Sequence, residues 1–164
     1  MDLTPLYPWL RYIHVAAAFG LAFAHGVSAY AAFAIRGTRD RGKLVGLLEL
    51  SGTALGLFYL SLLTLLVAGI VTGLVIGWRN WMWAAIGLLL VVVIGMYAMA
   101  TRYYAQIRTA LGLPAQGTRK DAVLTPASDA ELDALLNSRR PEQLTALGVI
   151  GFLLILYLMM FKPF

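Results

Sequence analysis

The sequence predicts an all-α integral membrane protein, a four-transmembrane-helix bundle with a short cytoplasmic amphipathic helix between the third and fourth spans. Two observations predict this class. Hydrophobic residues make up 60% of the 164 residues and charged residues only 13%, whereas an average protein carries about 25% charged residues. The charges also lie in short segments between long apolar runs, which is how proteins that cross a bilayer several times are organised.

The net charge of +5 does not indicate a nucleic-acid partner, because the basic residues lie between apolar runs that only lipid can solvate. The lipid bilayer is the expected partner. The chain contains no cysteine, which excludes disulfides, thiolate metal sites and c-type haem attachment. It also lacks a nucleophile–base–acid set and a carboxylate pair within an apolar run, so hydrolytic or transferase catalysis is not predicted.

Four apolar segments each reach the roughly 20 residues that a bilayer crossing requires. The second belongs to a longer apolar run, whose first two turns precede a membrane-embedded part that begins near Thr53. The first is a retained span and not a signal peptide, because the basic residues follow it instead of preceding it. Within a single domain, 1–164, the predicted spans are 10–35, 53–77, 83–104 and 141–161.

The segment 105–140 is the one extended polar stretch. Ser128 followed by Glu131 has the spacing of a capping box, which predicts a short amphipathic helix that ends near Asn137. The composition of the residues that precede this short helix predicts a loop. Pro141 suits the first turn of the fourth span.

The basic residues are divided unequally between the two ends of the predicted spans, and this asymmetry predicts the orientation. One end carries ten of them: Arg36, Arg39, Arg41, Lys43, Arg102, Arg108, Arg119, Lys120, Arg139 and Arg140. The other end carries three: Arg11, Arg79 and Lys162. We therefore expect the basic loops in the cytoplasm of a bacterial plasma membrane and both termini outside.

Both histidines of the chain, His14 and His25, lie in the first span. Eleven residues separate them, so they project from nearly the same side of a helix and stand about 16 Å apart along its axis. That side carries small residues, which favours contact with another helix over contact with lipid. A structural interpretation is that each ring hydrogen-bonds a neighbouring carbonyl or hydroxyl. The hydroxyls available are those of Ser28, Thr53, Tyr59, Ser61 and Thr64.

The functional interpretation is that these histidines bind haem b or copper, since an ionisable group at membrane depth is a functional candidate. No other span carries a histidine, so a second ligand to the haem iron or copper must come from one of two sources. Methionine is one: Met96 and Met99 reach a depth like that of His25, while Met159 and Met160 lie near the depth of His14. A two-fold homodimer that pairs equivalent histidines is the other. Histidine with methionine suits haem iron or Cu(I).

Glycines at helical spacing predict where the spans pack closely, since small residues let backbones approach in lipid. Glu49, with Ser51 and Thr53 nearby, marks the cytoplasmic mouth of the second span. It is a candidate for proton or ion entry, and pairing with the basic loop is the alternative. The packing glycines predicted in the second span are Gly52, Gly56, Gly69, Gly73 and Gly77.

The start of the first span, RYIHVAAAFG, also resembles a known group of small bacterial membrane proteins. The group includes the CopD-type (copper-resistance D) domain, HemJ-type protoporphyrinogen oxidases and an uncharacterised family of predicted integral membrane proteins, to which the chain is most similar. The residues that carry the resemblance are Ile13, His14, Ala17 and Gly20. It covers the first span and the four-span layout, and it implies a four-helix bundle in which His14 binds haem b or copper.

One family feature is missing from this chain. HemJ-type enzymes also use a lysine within a later span, whereas Lys43, Lys120 and Lys162 all lie outside the predicted spans. The resemblance therefore does not carry the oxidase activity with it.

Three functional hypotheses follow. The leading one is a small plasma-membrane protein that holds haem b or copper for electron transfer or metal handling. The second is a non-catalytic accessory subunit or assembly factor of a larger membrane complex. The third is a small proton-coupled transporter that uses Glu49 and His25 as a proton relay.

Overall fold

A computed structural model describes residues 4–115, 118–119 and 124–164, and within these ranges the chain is all-helical, with no strand. A 3₁₀ turn, Thr4–Leu6, leads into the first helix. Four helical segments are long and apolar enough to cross a membrane, which confirms the predicted helical class. The helices are α1 (Tyr7–Arg36), α2 (Arg41–Ile76), α3 (Asn80–Ala110), α4 (Asp129–Leu136) and α5 (Arg140–Phe161).

The second helix is longer than the span predicted within it. Asp40 caps its start, because the Asp40 carboxylate accepts a hydrogen bond from the backbone N–H of Lys43 at 2.9 Å. The helix therefore begins at Arg41, and the turns before Thr53 belong to the same continuous helix. It ends at Gly77, whose φ of +81° suits glycine and turns the chain into α3.

The short helix α4 starts at the predicted capping box, which is confirmed. The Ser128 hydroxyl accepts from the Glu131 backbone N–H, and the Glu131 carboxylate accepts from the Ser128 N–H at 3.0 Å. The Ser128 hydroxyl also donates a hydrogen bond to the Glu131 carboxylate at 2.8 Å. This bond and, second, the bond from the Ser128 backbone N–H lower the pKa of the Glu131 carboxylate. The loop predicted ahead of α4 falls partly on residues 116–117 and 120–123, outside the described ranges.

The four long helices pack as two antiparallel pairs. Helix α1 packs most extensively against α2, and α3 packs against α5. The contact between α1 and α5 joins the two pairs, while α2 and α3 touch little despite the short turn that links them. Ala17, Ala24 and Ala31 recur every seven residues among the buried side chains of α1. Small side chains at that spacing let a neighbouring backbone approach closely.

The largest apolar core lies where α4 covers the bundle. We call this the α4 end, and the opposite end, which carries the turn at residues 77–79 and the end of α5, the turn end. Leu132 and Leu136 point from one side of α4 into the core, and Leu136 is 0% exposed. The buried residues of the cluster are Ile35, Leu44, Leu48, Tyr103, Ile107, Ala110, Leu132 and Leu136.

Ion pairs also connect the α4 end. Three arginines at the junction of α1 and α2 each meet a carboxylate of the segment 129–142. Arg39 pairs with Asp133 at 2.6 Å and Arg41 with Asp129 at 2.9 Å, and the third pair is Arg36 with Glu142. Exposed pairs of this kind each add little free energy, so their main effect is to position α4 and the start of α5 against the junction of α1 and α2.

Candidate functional site

The two histidines of α1 contact different helices. His14 lies against α2, next to Leu65 and Gly69, whereas His25 lies against α5 at Gly148. Both side chains are partly buried. The small-residue side of α1 therefore contacts both α2 and α5, and the two imidazole rings have different surroundings.

His14 is oriented by a backbone hydrogen bond. Its Nδ1 lies 3.0 Å from the carbonyl oxygen of Leu65. Because a carbonyl only accepts, Nδ1 must carry the hydrogen, and in the neutral ring Nε2 then presents a lone pair. A Cβ built on Gly69 would lie 3.1 Å from His14 Cε1, so glycine makes the space for this approach.

His25 is held by packing and not by a hydrogen bond. Its Nε2 is buried and has no hydrogen-bond partner among the described residues. A Cβ built on Gly148 would overlap with both Nε2 and Cε1, so the edge of the ring rests directly on the α5 backbone. In this arrangement, Nε2 faces a helix backbone and not an open coordination position.

Met96 and Met99 lie on α3, whereas His25 rests on α5. Both are partly buried on α3. A Cβ built on Gly95, the neighbour of Met96, would lie 3.2 Å from Leu147 of α5, while the next residue of α5, Gly148, receives His25. At this level α5 therefore stands next to both α1 and α3. Within the described ranges, no three residues among His, Cys, Asp and Glu are grouped to hold a metal ion.

The predicted packing glycines of α2 have different surroundings. The His14 ring packs against Gly69. The Trp78 ring packs against Gly73 and lies 3.0 Å from a Cβ built on Gly73. Gly77 ends the helix. Gly52 and Gly56 are exposed, and nothing lies within 4 Å of a Cβ built on either.

Other close approaches occur at glycines that the sequence analysis did not select for packing. Besides Gly148, the tightest are Gly20, where a Cβ would lie 2.5 Å from Ser61 Oγ, and Gly151, where it would overlap with Val92. Gly148 and Gly151 are buried on α5. Their spacing, G-x-x-G, falls outside the small-xxx-small pattern on which the prediction relied.

Two of the five hydroxyl groups proposed as histidine partners make other hydrogen bonds. Thr53 and Thr64 each donate to a carbonyl of their own helix, those of Glu49 and Leu60. The partner of His14 is instead the Leu65 carbonyl, a backbone group that residue types do not reveal. Glu49 is exposed, and no ion pair within the described ranges includes it.

A concave surface lies at the start of α1. It has a volume of about 420 Å³ and is lined by Tyr7, Pro8, Arg11, Tyr12 and Val15. Neither histidine lines it.

No family model, curated protein or solved structure matches the chain. These comparisons therefore provide no link to the CopD-type or HemJ-type families, and a function must be inferred from the residues and their geometry.

Proposed function

We propose that this protein is a small multi-pass plasma-membrane protein that holds haem b or a copper ion on the histidine side of α1, for electron transfer or metal handling. The observation that carries the proposal is the hydrogen bond from His14 Nδ1 to the Leu65 carbonyl. This bond orients the ring and leaves Nε2 free for a ligand.

Membrane insertion is supported by the surface of the long helices. Large apolar side chains are exposed along all four, among them Phe19, Leu74, Val91 and Leu153. A soluble protein rarely exposes apolar surface of this extent. The α4 end carries most of the basic residues, and the positive-inside rule places that end in the cytoplasm. Both termini then lie outside, and His14 lies near the outer surface.

The arrangement at His14 is the one that metal-binding histidines use. A ligating histidine usually donates its second ring N–H to a carboxylate or backbone carbonyl, which fixes the tautomer and makes the other nitrogen more basic. Leu65 supplies that carbonyl, and Gly69 lets the ring reach it. In α1, His14 is therefore the ligand and His25 is the packing histidine. Bound haem or copper would supply one-electron chemistry at this position.

The test is a reduced-minus-oxidised visible spectrum, with elemental analysis, of protein purified from cells supplied with copper and a haem precursor. We expect the wild-type protein to carry haem or copper, His14→Leu to lose it and His25→Leu to retain it. Colourless wild-type protein without metal would contradict the proposal. Loss in both variants alike would contradict the assignment of the ligand to His14.

One observation favours a second candidate, an accessory subunit or assembly factor. Gly52 and Gly56 expose a small-residue strip on α2 that no part of the described chain covers, and such strips suit contacts between transmembrane helices. Stoichiometric partners that co-purify with wild-type protein, and that are lost with Gly52→Leu but retained with His14→Leu, would favour this function over the redox one.

A further inference from the structure

We propose that Arg102 of α3 and Arg140 of α5 together bind the phosphate group of one anionic phospholipid at the α4 end. This inference rests on one part of the proposed function, the placement of the α4 end at the cytoplasmic surface of the membrane. It does not depend on haem or copper at His14, and it assigns a ligand to a second place in the bundle.

Helices α3 and α5 pack in antiparallel register, which two contacts define. Val92 of α3 lies against Gly151 of α5, and Leu147 of α5 lies 3.2 Å from a Cβ built on Gly95 of α3. From the first contact to the second, the position moves three residues along α3 and four residues back along α5. The second contact is the nearer of the two to the α4 end.

The two arginines follow this second contact at equal spacing. Arg102 comes seven residues after Gly95. Arg140 comes seven residues before Leu147. Seven residues of α-helix advance about 10 Å and return to within about 20° of the same side. Both arginines therefore lie two turns from the contact, at a similar level and on the sides where α3 and α5 meet.

A further interaction places the end of α3 near the beginning of α5. Tyr103, the neighbour of Arg102, is 2% exposed and interacts electrostatically with Glu142. Glu142 lies in the first turn of α5, two residues after Arg140. The segments that carry the two arginines are therefore close to each other, as the register indicates.

The positive charge of the two arginines is not balanced by a carboxylate within the described ranges. No ion pair there includes Arg102 or Arg140. The positive end of the α5 helix dipole lies at the same place, since α5 begins at Arg140. An anion is therefore favoured there. The carboxylates of the segment 129–142 already have other partners, which are Arg41 for Asp129, Ser128 for Glu131, Arg39 for Asp133 and Arg36 for Glu142.

The arginines lie on the flank of the α3–α5 pair that is turned away from α1. On α5, Gly148 meets α1, and it lies about 80° around the helix from Arg140. On α3, the Tyr104 hydroxyl donates to the backbone of α1, and Tyr104 lies about 160° from Arg102. Arg102 is exposed and Arg140 is partly buried. A ligand can therefore approach both from outside the bundle.

The surroundings favour a lipid headgroup over a soluble phosphate compound. Exposed apolar side chains continue the same sides of α3 and α5 away from the α4 end, among them Val91, which is 65% exposed, and Leu154, which is 48% exposed. They suit an acyl chain below the phosphate. Guanidinium groups bind phosphate oxygens in pairs, and basic residues between membrane helices on the cytoplasmic side bind anionic headgroups.

Native mass spectrometry of the full-length protein, released from detergent micelles that contain phosphatidylglycerol or phosphatidylcholine, measures lipid binding. The variants are Arg102→Gln and Arg140→Gln. Lys43→Gln is the matched control, because it removes the same charge from an exposed residue of α2 at the α4 end. Glutamine is a good helix former, so the helices are retained.

We expect wild-type protein to bind one phosphatidylglycerol more tightly than phosphatidylcholine. Each arginine variant should weaken this binding about fivefold, the contribution of one basic residue near an anionic membrane surface. Lys43→Gln should leave the binding unchanged. Equal affinity of wild-type protein for the two lipids, or an equal loss in Lys43→Gln, would overturn the inference and leave the proposed function at His14 intact.

Inorganic phosphate, added in the same titration, separates a lipid from a soluble phosphate compound. It should not displace phosphatidylglycerol, and displacement would overturn the assignment to a lipid. Phosphatidylglycerol bound by protein that carries neither haem nor copper would support this inference and overturn the redox function alone. Protein recovered from cells in the soluble fraction, without detergent, would overturn both.

Discussion

The two ends of the bundle are held together in different ways. At the α4 end, side chains from four helices enclose an apolar cluster, and three arginine–carboxylate pairs surround it. At the turn end, the contacts include aromatic residues: Trp78 stacks on Trp83 at 4.5 Å between ring centroids, and Lys162 lies over Trp81. An apolar cluster shared by four helices thus supports the α4 end, whereas aromatic pairs and glycine contacts join neighbouring helices towards the turn end.

Under the proposed function, this difference separates the part of the bundle that supplies stability from the part that binds the ligand. Elements with few buried apolar contacts open more easily than a packed core. His14 lies towards the turn end, apart from the apolar cluster that holds the helices in register at the α4 end. Variants at the α4 end should therefore change unfolding, and variants near His14 should change ligand binding.

The largest effect is expected for Leu136→Ala. Leu136 is 0% exposed in the cluster at the α4 end, and removing a buried leucine side chain leaves a cavity that typically costs about 2–5 kcal/mol. Reversible unfolding in mixed detergent micelles, followed by circular dichroism, measures the loss. Leu153→Ala is the control, because Leu153 is exposed on α5. Equal losses in both variants would show that α4 does not support the bundle.

A smaller but more specific effect is expected for Gly148→Ala. The added Cβ would overlap with the ring of His25, and overpacking of this kind costs about 1–3 kcal/mol. The double variant His25→Ala/Gly148→Ala should recover part of that loss, because the overlapping atoms are then removed. The same unfolding measurement applies to Gly148→Ala, to His25→Ala and to the double variant.

The control for this pair is Gly87→Ala, since nothing lies within 4 Å of a Cβ built on Gly87. Additive losses from the two single substitutions would show that His25 and Gly148 are not coupled. The close contact of α1 with α5 at this level would then lose its support.

The smallest effect is expected at the α4 capping box. Ser128→Ala removes an N-cap, and such a loss costs about 1 kcal/mol. It also removes hydrogen bonds that lower the pKa of Glu131. A carboxylate whose pKa is lower in the folded state stabilises that state above its unfolded pKa, and this contribution is lost as the pH falls through the folded pKa.

Amide hydrogen exchange of residues 129–136, at pH 7 and near pH 3, measures this contribution. In wild-type protein, protection of α4 should fall at the lower pH after correction for the intrinsic exchange rate. In Ser128→Ala, protection should be lower at pH 7 and should change less with pH. Glu131→Gln, which cannot ionise, is the control. An unchanged pH response in both variants would place the titrating group elsewhere.

Much of the helical architecture could be predicted because it depends on local composition. Long apolar runs predicted the four long helices, and Ser128 with Glu131 predicted the start of α4. The start of α2 was harder to predict, because its cap is Asp40 within a charged loop and the apolar pattern begins later. The glycine contacts were predicted only in part. A small-residue pattern on α2 does not reveal that side chains of other helices pack against Gly148 and Gly151 of α5.

The sequence by itself determined that the chain forms long apolar helices, that both histidines lie on one side of α1 and that cysteine ligands are impossible. The tertiary structure alone decided which helix each histidine meets. A helical pattern gives the direction of a side chain relative to its own axis, but neighbours depend on how helices pair and in which register. That pairing places the Leu65 carbonyl at His14 and the Gly148 backbone at His25, so two residues that look equivalent in the sequence differ in the atom each can offer to a ligand.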